Sequence, residues 1–356
     1  MNQKKNEIHP IFQLHGLWEK NAHHVWLASS LSLSRNIQKF KFPHKLDKAH
    51  EEQTSSLLLE SIKQCSELDQ PQLFKSGNIG FLEKEFLLEH FLTNEDFNQA
   101  HGGEGFVVDN GGDFLAIFNI EDHLKLNLID TNQEIEKTWN RLAKIESHIG
   151  KRLDYAFSPR FGFLTSNPRH CGTALRVSTY LHIPAIIHSG ELSDLLDREK
   201  EEEVEAVGLQ GNVNEMIGDI LVTRNKCSLG LTEEYLLTTM RMWATRAVVA
   251  EVNLRKKIVE SNNEQFKNKI TRSLGLLTHS YQLEVIEALN SLSLVKLGIE
   301  IGWINAPKSL NMNQILFNCR RAHLSSLSEG NPTIAELPKV RAGYLQSIAK
   351  QLTLAI

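Results

Sequence analysis

A mixed α/β domain followed by an all-helical domain is the architecture this sequence predicts, and three observations carry it. Short apolar runs ending in charge or glycine alternate with helical patterns through the first 230 or so residues. Beyond Gly230 the strand-like runs stop and helical patterns dominate. The 356 residues are enough for two cores rather than one. The expected spans are 24–254 for the first domain and 255–356 for the second.

The elements follow in chain order. A helical patch covers Ile11 to Lys20 in a polar lead-in. Val25-Trp26-Leu27 opens a strand that continues into Ala28-Ser-Ser-Leu-Ser-Leu-Ser34, where Leu31 and Leu33 alternate with small polar residues as in a half-buried strand. A helix is expected over Asp47–Glu67. Strands and turns are expected between Gly77 and Lys125. There His101-Gly-Gly-Glu-Gly105 and Asn110-Gly-Gly112 flank Phe106-Val-Val108 like the ends of a hairpin, and Phe114 to Phe118 forms an apolar run. Thr138–His148 is amphipathic, with Trp139, Leu142, Ala143 and Ile145 on one side. Strands and turns over Tyr155–Ile187 lead to a helix from Leu192 to Glu203, whose Glu199–Glu203 end reads as a solvated face. Two strands follow at Val204–Leu209 and Ile217–Thr223. Thr232 is an expected N-cap, with Glu233 and Glu234 in the first turn of a helix reaching Ser261. Further helices are expected near Glu264–Ser273, Tyr281–Ser291 and Thr333–Leu352.

Composition excludes more than it selects. A net charge of −4 gives no support to a nucleic-acid or anionic-membrane partner. The four cysteines are scattered, which argues against a disulfide framework and a cysteine zinc site, and no metal site is expected. The amino terminus has no apolar signal core, and no run approaches the roughly 18 apolar residues of a membrane span, so a cytoplasmic location is expected.

Two stretches carry the chemistry. Asn119-Ile-Glu-Asp-His-Leu-Lys125 puts a carboxylate pair and a histidine at the end of a strand, where a rigid element aims side chains into a cleft. Thr165-Ser-Asn-Pro-Arg-His-Cys-Gly-Thr-Ala-Leu-Arg176 is a turn that delivers an arginine just before the apolar run Val177–Ile187. No Walker A loop is present, so side chains rather than a glycine loop must hold any nucleotide. Glu121 is the leading catalytic candidate, since a carboxylate beside a guanidinium orients it and accepts its proton.

Together the two stretches resemble the signature of the ATP:guanidino phosphotransferases (phosphagen kinases), whose usual forms read N-E-E-D-H-x-R and C-P-x-N-x-G-T-G-L-R. The resemblance is closest to the bacterial protein-arginine kinases (McsB-type), through Asp154-Tyr-Ala-Phe-Ser158, Gly162-Phe-Leu-Thr-Ser166 and the order of the two domains. It implies a phosphagen-kinase-like fold, a mostly antiparallel sheet flanked by helices, joined to an all-α C-terminal dimerisation and regulatory domain. It also implies Mg-ATP as the phosphoryl donor, arginine side chains of proteins as acceptors, and a homodimer.

The family holds the ATP phosphates with five arginines and uses one glutamate as base. Carried over, the glutamate is Glu121. Leu27-Ala-Ser-Ser-Leu-Ser-Leu-Ser-Arg-Asn36 lines up with L-S-S-R-I-R-L-A-R-N, so Ser30 and Ser32 stand where two phosphate arginines belong, while Arg35 keeps a structural one. Lys125 replaces an arginine and Arg176 keeps one. Gly208-Leu-Gln-Gly-Asn-Val-Asn-Glu-Met-Ile-Gly-Asp219 aligns on G-x-Y-G-E-G-S-E-A-x-G-N, leaving Val207 at the last arginine. His90 falls at a nucleotide-contacting histidine. The implied nucleotide contacts are Arg176, Lys125, His90, Ser29, Ser30, Ser32, Val177, Ser178, Val207 and Gly208. Asn167 stands at the reactive-cysteine position and Ala174 at a usual glycine. The regulatory R-D-x-x-R-A motif is matched only by Arg341 and Ala342, with Pro338 expected in a helix's first turn.

Losing arginines matters because phosphoryl transfer is catalysed mainly by positioning and charge neutralisation, and one cation is worth about 10³–10⁵ in rate in well-studied cases. Two readings therefore stand. In one the chain is an arginine phosphotransferase of reduced capacity. In the other it is a catalytically impaired binding or regulatory module in a chaperone–protease stress system.

Overall fold

A ten-residue strand, in which serine and leucine alternate from Ser30 to Ser34, lies inside the sheet and divides its two faces. The computed structural model describes residues 9–14, 16–19, 23–93, 103–212, 215–328 and 332–356. His101 and Gly102 of the first glycine cluster, and Val213 and Asn214 of the aligned 208–219 stretch, lie outside the described residues. In chain order, α1 (Gly16–Glu19) precedes β1 (Trp26–Arg35), α2 (Lys48–Lys63), β2 (Gln72–Lys75), α3 (Phe81–His90), β3 (Gly105–Val108), β4 (Phe114–Phe118) and β5 (Leu124–Asp130). Then come α4 (Ile135–Gly150), the hairpin β6 (Phe157–Ser158) and β7 (Gly162–Phe163), β8 (Leu175–His182), α5 (Pro184–His188), α6 (Leu192–Arg198), β9 (Val204–Gly208) and β10 (Ile220–Asn225). The remainder is helical: α7 (Glu233–Glu260), α8 (Glu264–His279), α9 (Val285–Glu300), α10 (Met312–Asn318), α11 (Arg321–Leu327) and α12 (Leu337–Ala349), with β11 (Ile304–Asn305) and β12 (Thr353–Leu354) as a small ribbon.

The large sheet runs β2-β3-β4-β5-β1-β8-β10-β9, and every neighbouring pair is antiparallel. Helices α4 and α7 cover one face, α4 against β1 and β5, α7 against β8 and β10. Successive strand residues point to opposite faces. Ser30, Ser32 and Ser34 therefore share one face of β1, while Leu31 and Leu33 are fully buried on the other.

A buried network of charges ties the sheet to the helical half. Glu251 of α7 accepts hydrogen bonds from the Ala185 and Ile186 amides at the start of α5, 3.1 and 3.0 Å away. Arg255 bridges Glu251, at 2.7 Å, and Glu300 of α9. Lys296 pairs with Glu300 and donates to the His24 carbonyl at 2.5 Å. The Ser293 hydroxyl joins His182 of β8, at 2.7 Å, to Asp219 before β10, at 2.5 Å. A second tie links α3 to α11: the buried Glu89 carboxylate accepts from the Ala322 and His323 amides and from His323 Nδ1.

Several expected elements shift. The stretch between Gly77 and Lys125 contains the helix α3. Its N-cap is Gly80, with no side-chain cap, so the usual start signal is missing. Helix α6 stops at Arg198, and Glu199 is buried rather than on a solvated face. Its carboxylate meets Arg198 and Arg246, and its carbonyl accepts from Trp243. Ile217–Asp219 form a 3-10 turn, with Gly218 at φ +64°, and β10 begins one residue later. Helix α9 starts four residues after the expected Tyr281 and runs to Glu300. It is apolar on nearly every side, so it shows no stripe to read. Thr232 caps α7 through the Tyr235 amide, and Pro338 sits in the first turn of α12, as expected. Among the described residues no helix is long and apolar enough to cross a membrane.

Two outcomes follow. Glu300→Gln strips the counter-charge from Arg255 and Lys296 while both stay buried, and should lower unfolding free energy by about 3–5 kcal/mol in a urea titration. Stability should also fall as pH drops from 7 to 6. Burial holds His123, His182 and His323 below the ordinary histidine value, so the unfolded chain takes up protons near pH 6.5 that the native state refuses. Asp109, pushed up to about 6 by burial, opposes this by roughly half a proton over that range. The net loss over that unit should be about 1–2 kcal/mol, read as a falling thermal midpoint. A midpoint that is flat or rises on acidification would refute the neutral assignment of these histidines.

Candidate active site

The N-I-E-D-H segment is a tight turn between β4 and β5, and its residues divide into fasteners and one projecting group. Asn119, at φ +55°, donates to the Glu51 and Gly103 carbonyls and to the Ser55 hydroxyl at 3.0–3.1 Å. Asp122 is buried and accepts from Asn36 Nδ2 and the Ser166 amide, 2.7 and 2.8 Å away. His123 is buried as a neutral ring: Nδ1 accepts from the Ile37 amide at 3.0 Å and Nε2 donates to the Lys41 carbonyl at 2.8 Å. Only Glu121 of the three acid–base side chains is exposed. The backbone there is pinned by the Ser166 hydroxyl, which donates to the Glu121 carbonyl at 2.6 Å.

The second stretch is shaped by close backbone approach. Gly172, at φ +97°, packs against Ser228, and Gly162 touches Gly172 so closely that a Cβ would fall 2.6 Å from its Cα. Ala174 is also left-handed, at φ +55°, a conformation glycine adopts without strain. The loop ends in β8, which presents Arg176.

Glu121, Lys125, Arg176, Ser30, Ser32 and Ser178 line one cavity of about 330 Å³ on the sheet face opposite α4 and α7. Strand register explains the gathering. Ser32 faces Arg176 and Asn127 on its two sides, Ser34 faces Lys125, and Ser30 faces Ser178. Ser30 donates to Asn127 Oδ1 at 2.8 Å. The cavity adds Asn127, Tyr180 and Arg224, which the sequence reading missed. Arg224 lies opposite both Ser178 and Glu205, and the expected strand ended one residue short of it, at Thr223. Its Nε pairs with Glu205, and Arg176 lies 3.8 Å from the same carboxylate oxygen. Tyr180 donates to the Leu92 carbonyl at 2.6 Å, and burial pushes its phenol up.

Other expected contacts lie elsewhere. His90 is fully buried at the end of α3, stacked on Phe86 and His323, with Nε2 2.8 Å from the Gly112 carbonyl. Ser29 and Val177 point to the covered face, where the Ser29 hydroxyl accepts from Trp26 Nε1. Val207 is buried opposite Val222, one strand beyond the cavity lining. Gly208 opens a tight turn, its amide bonded to the Asn212 carbonyl, where a side chain would collide with the Glu215 carbonyl. Arg35 is a clamp: it pairs with Glu146 at 2.7 Å and lies over the Phe163 ring at 3.6 Å. Arg341 and Ala342 are buried, and the Arg341 guanidinium donates to the Cys319 and Leu283 carbonyls at 2.7 and 2.9 Å.

Chemically, the cavity offers an exposed carboxylate beside three cations, with hydroxyl and amide groups as secondary donors. That is what an anionic phosphoryl group and a guanidinium acceptor require. Comparison with known proteins agrees. Residues 49–254 match the family model described as ATP:guanido phosphotransferase, C-terminal catalytic domain, and residues 263–354 match the protein-arginine kinase McsB C-terminal domain. The chain is 39% identical over 336 residues to the protein-arginine kinase of Chlamydia pneumoniae, covering 93% of this chain and 92% of that one. It is 34% identical to the protein-arginine kinase of Chlamydia muridarum, covering 92% and 93%. Its fold is similar to the duplicated taurocyamine kinase from Schistosoma mansoni, with TM-score 0.57 and 22% identity. That match covers 64% of this chain but only 33% of the longer kinase. Lombricine kinase matches with TM-score 0.56 and 16% identity, over 70% and 71% of the two chains. With a phosphagen-kinase sheet, a matching catalytic domain and a matching helical C-terminal domain, the chain belongs to the ATP:guanido phosphotransferase family, on its protein-arginine kinase branch.

Proposed function

We propose that this protein transfers the γ-phosphoryl group of Mg-ATP to arginine side chains of proteins, at low turnover, in the cytoplasm. The observation that carries the reading is the meeting of Glu121, Lys125, Arg176 and Arg224 around one cavity. Glu121 acts as the base that orients the substrate guanidinium and takes its proton as nitrogen attacks the γ-phosphorus and the bond to the bridging oxygen breaks to release ADP. Lys125, Arg176 and Arg224 would neutralise the charge that builds up on the phosphoryl oxygens, and magnesium bound to the nucleotide would add to that neutralisation. Low turnover follows from charge. Ser30 and Ser32 donate hydrogen bonds without charge, Lys125 lacks the bidentate fork, and Glu205 offsets part of the arginine charge. That same offset favours a second reading, a binding or regulatory module in a chaperone–protease system.

The two readings separate in one assay. Incubation with Mg-ATP and an arginine-rich unfolded protein should yield phosphoarginine detectable by mass spectrometry. Glu121→Gln should reduce it at least 100-fold, the loss of a general base, with the fold intact by circular dichroism. Phosphoarginine formed equally by this variant rejects the base assignment, and its absence from the wild type leaves the binding-module reading.

A homodimer is also proposed. Tyr235, Met242 and Val249, spaced by seven, and Val252 and Val259, also spaced by seven, leave a half-exposed apolar seam along α7. Light scattering should give about twice the 40.4 kDa chain mass. The double change Met242→Lys and Val249→Lys should return it to one copy without altering the thermal midpoint by more than a few degrees.

A further inference from the structure

We infer that Arg224 is a phosphate-contacting residue of the cleft and that Glu205 is a built-in competing anion, which holds Arg176 and Arg224 until a phosphate displaces it. The inference rests on the phosphotransferase reading of the cavity and names how that cavity binds its anion.

Geometry brings the three groups together from three adjacent strands. Arg176 stands on β8, Arg224 on β10 and Glu205 on β9, with Arg224 directly opposite Glu205 and Ser178 in the register. One carboxylate oxygen of Glu205 serves both arginines, paired with Arg224 Nε and 3.8 Å from Arg176. Both guanidinium groups also lie close enough to the Tyr180 hydroxyl to oppose the effect of its burial. Two guanidinium groups converging on one anionic oxygen form an arrangement that also suits a phosphate, which presents several such oxygens. Glu205 is only partly buried, with a side chain about one-third exposed, so releasing the arginines returns it to water without stranding a charge.

The position of Arg224 explains how a cleft with serine at positions 30 and 32 and valine at 207 still offers cations besides Lys125. Val207 and Val222 face each other, and Arg224 stands two residues along the same face, roughly 7 Å away at the usual strand rise. A guanidinium on β10 thus reaches space that a side chain on β9 leaves apolar. Because Glu205 competes for it, the affinity for an anion equals the intrinsic arginine–phosphate affinity reduced by the arginine–carboxylate pairing.

Isothermal titration with Mg-ATP, and separately with inorganic tripolyphosphate, on the intact chain tests this. Arg224→Met should weaken binding of both roughly 10- to 100-fold, the loss of a charge-assisted contact, with Arg224→Lys intermediate. Glu205→Gln should tighten both several-fold, a gain that damage to the fold does not produce. Equal affinity in Arg224→Met and wild type, binding in Glu205→Gln no tighter than wild type, or no binding by either wild type or Glu205→Gln, overturns the assignment. The expected affinities with no phosphoarginine formed by wild type would sustain the assignment while removing the kinase reading.

Discussion

The register of β1 between β5 and β8 is the constraint on which the rest depends. A strand side chain repeats every two residues, so a slip of one position would bring Leu31 and Leu33 into the cleft and bury Ser30, Ser32 and Ser34 beneath α4. With the observed pairing, Ser32 lies between Asn127 and Arg176, and Ser30 lies beside Ser178. Each neighbouring strand then adds its own polar residue to the same face. The cavity is thus a property of strand alignment, to which five of the strands contribute.

Rigidity around that face comes from ionisable groups that are buried and paired within the fold. Asp122 and His123 anchor the turn that displays Glu121, and Arg35 locks β1 to α4 through Glu146 while lying on Phe163. Glu251, Arg255, Lys296 and Glu300 join the sheet to α7 and α9 in the same manner. Buried ions of this kind contribute little net stability but strongly disfavour arrangements that would leave one of them unpaired. The acids and bases in the most conspicuous motifs are therefore mostly structural, and Glu121 is the exposed one among them.

Charge in the cleft is modest and arranged unusually. Arg176 and Arg224 converge on Glu205, so part of the positive potential that would attract a nucleotide is already neutralised from within. Arg224 on β10 stands two residues beyond the partner of the apolar Val207 and pairs with Glu205 on β9.

Local pattern determined the mixed first domain and helical second one, the alternation of β1 and the Thr232 cap, while the resemblance to the phosphotransferase signature is what implied one site for Glu121, Lys125 and Arg176. These signals are carried by residues within a few positions of one another, or by motifs whose spacing survives in the chain. Helices α3 and α9 were illegible or misplaced because one lacks a capping side chain and the other is buried on nearly all sides, which erases the stripe that marks a helix. Tertiary structure alone decided that His90 is packed among Phe86 and His323, that Val207 is buried beside Val222 outside the cavity lining, and that Arg224 turns into the cleft beside Glu205. Those outcomes depend on pairing between segments far apart in sequence, and a side chain's face is set by the strand or helix that packs beside it.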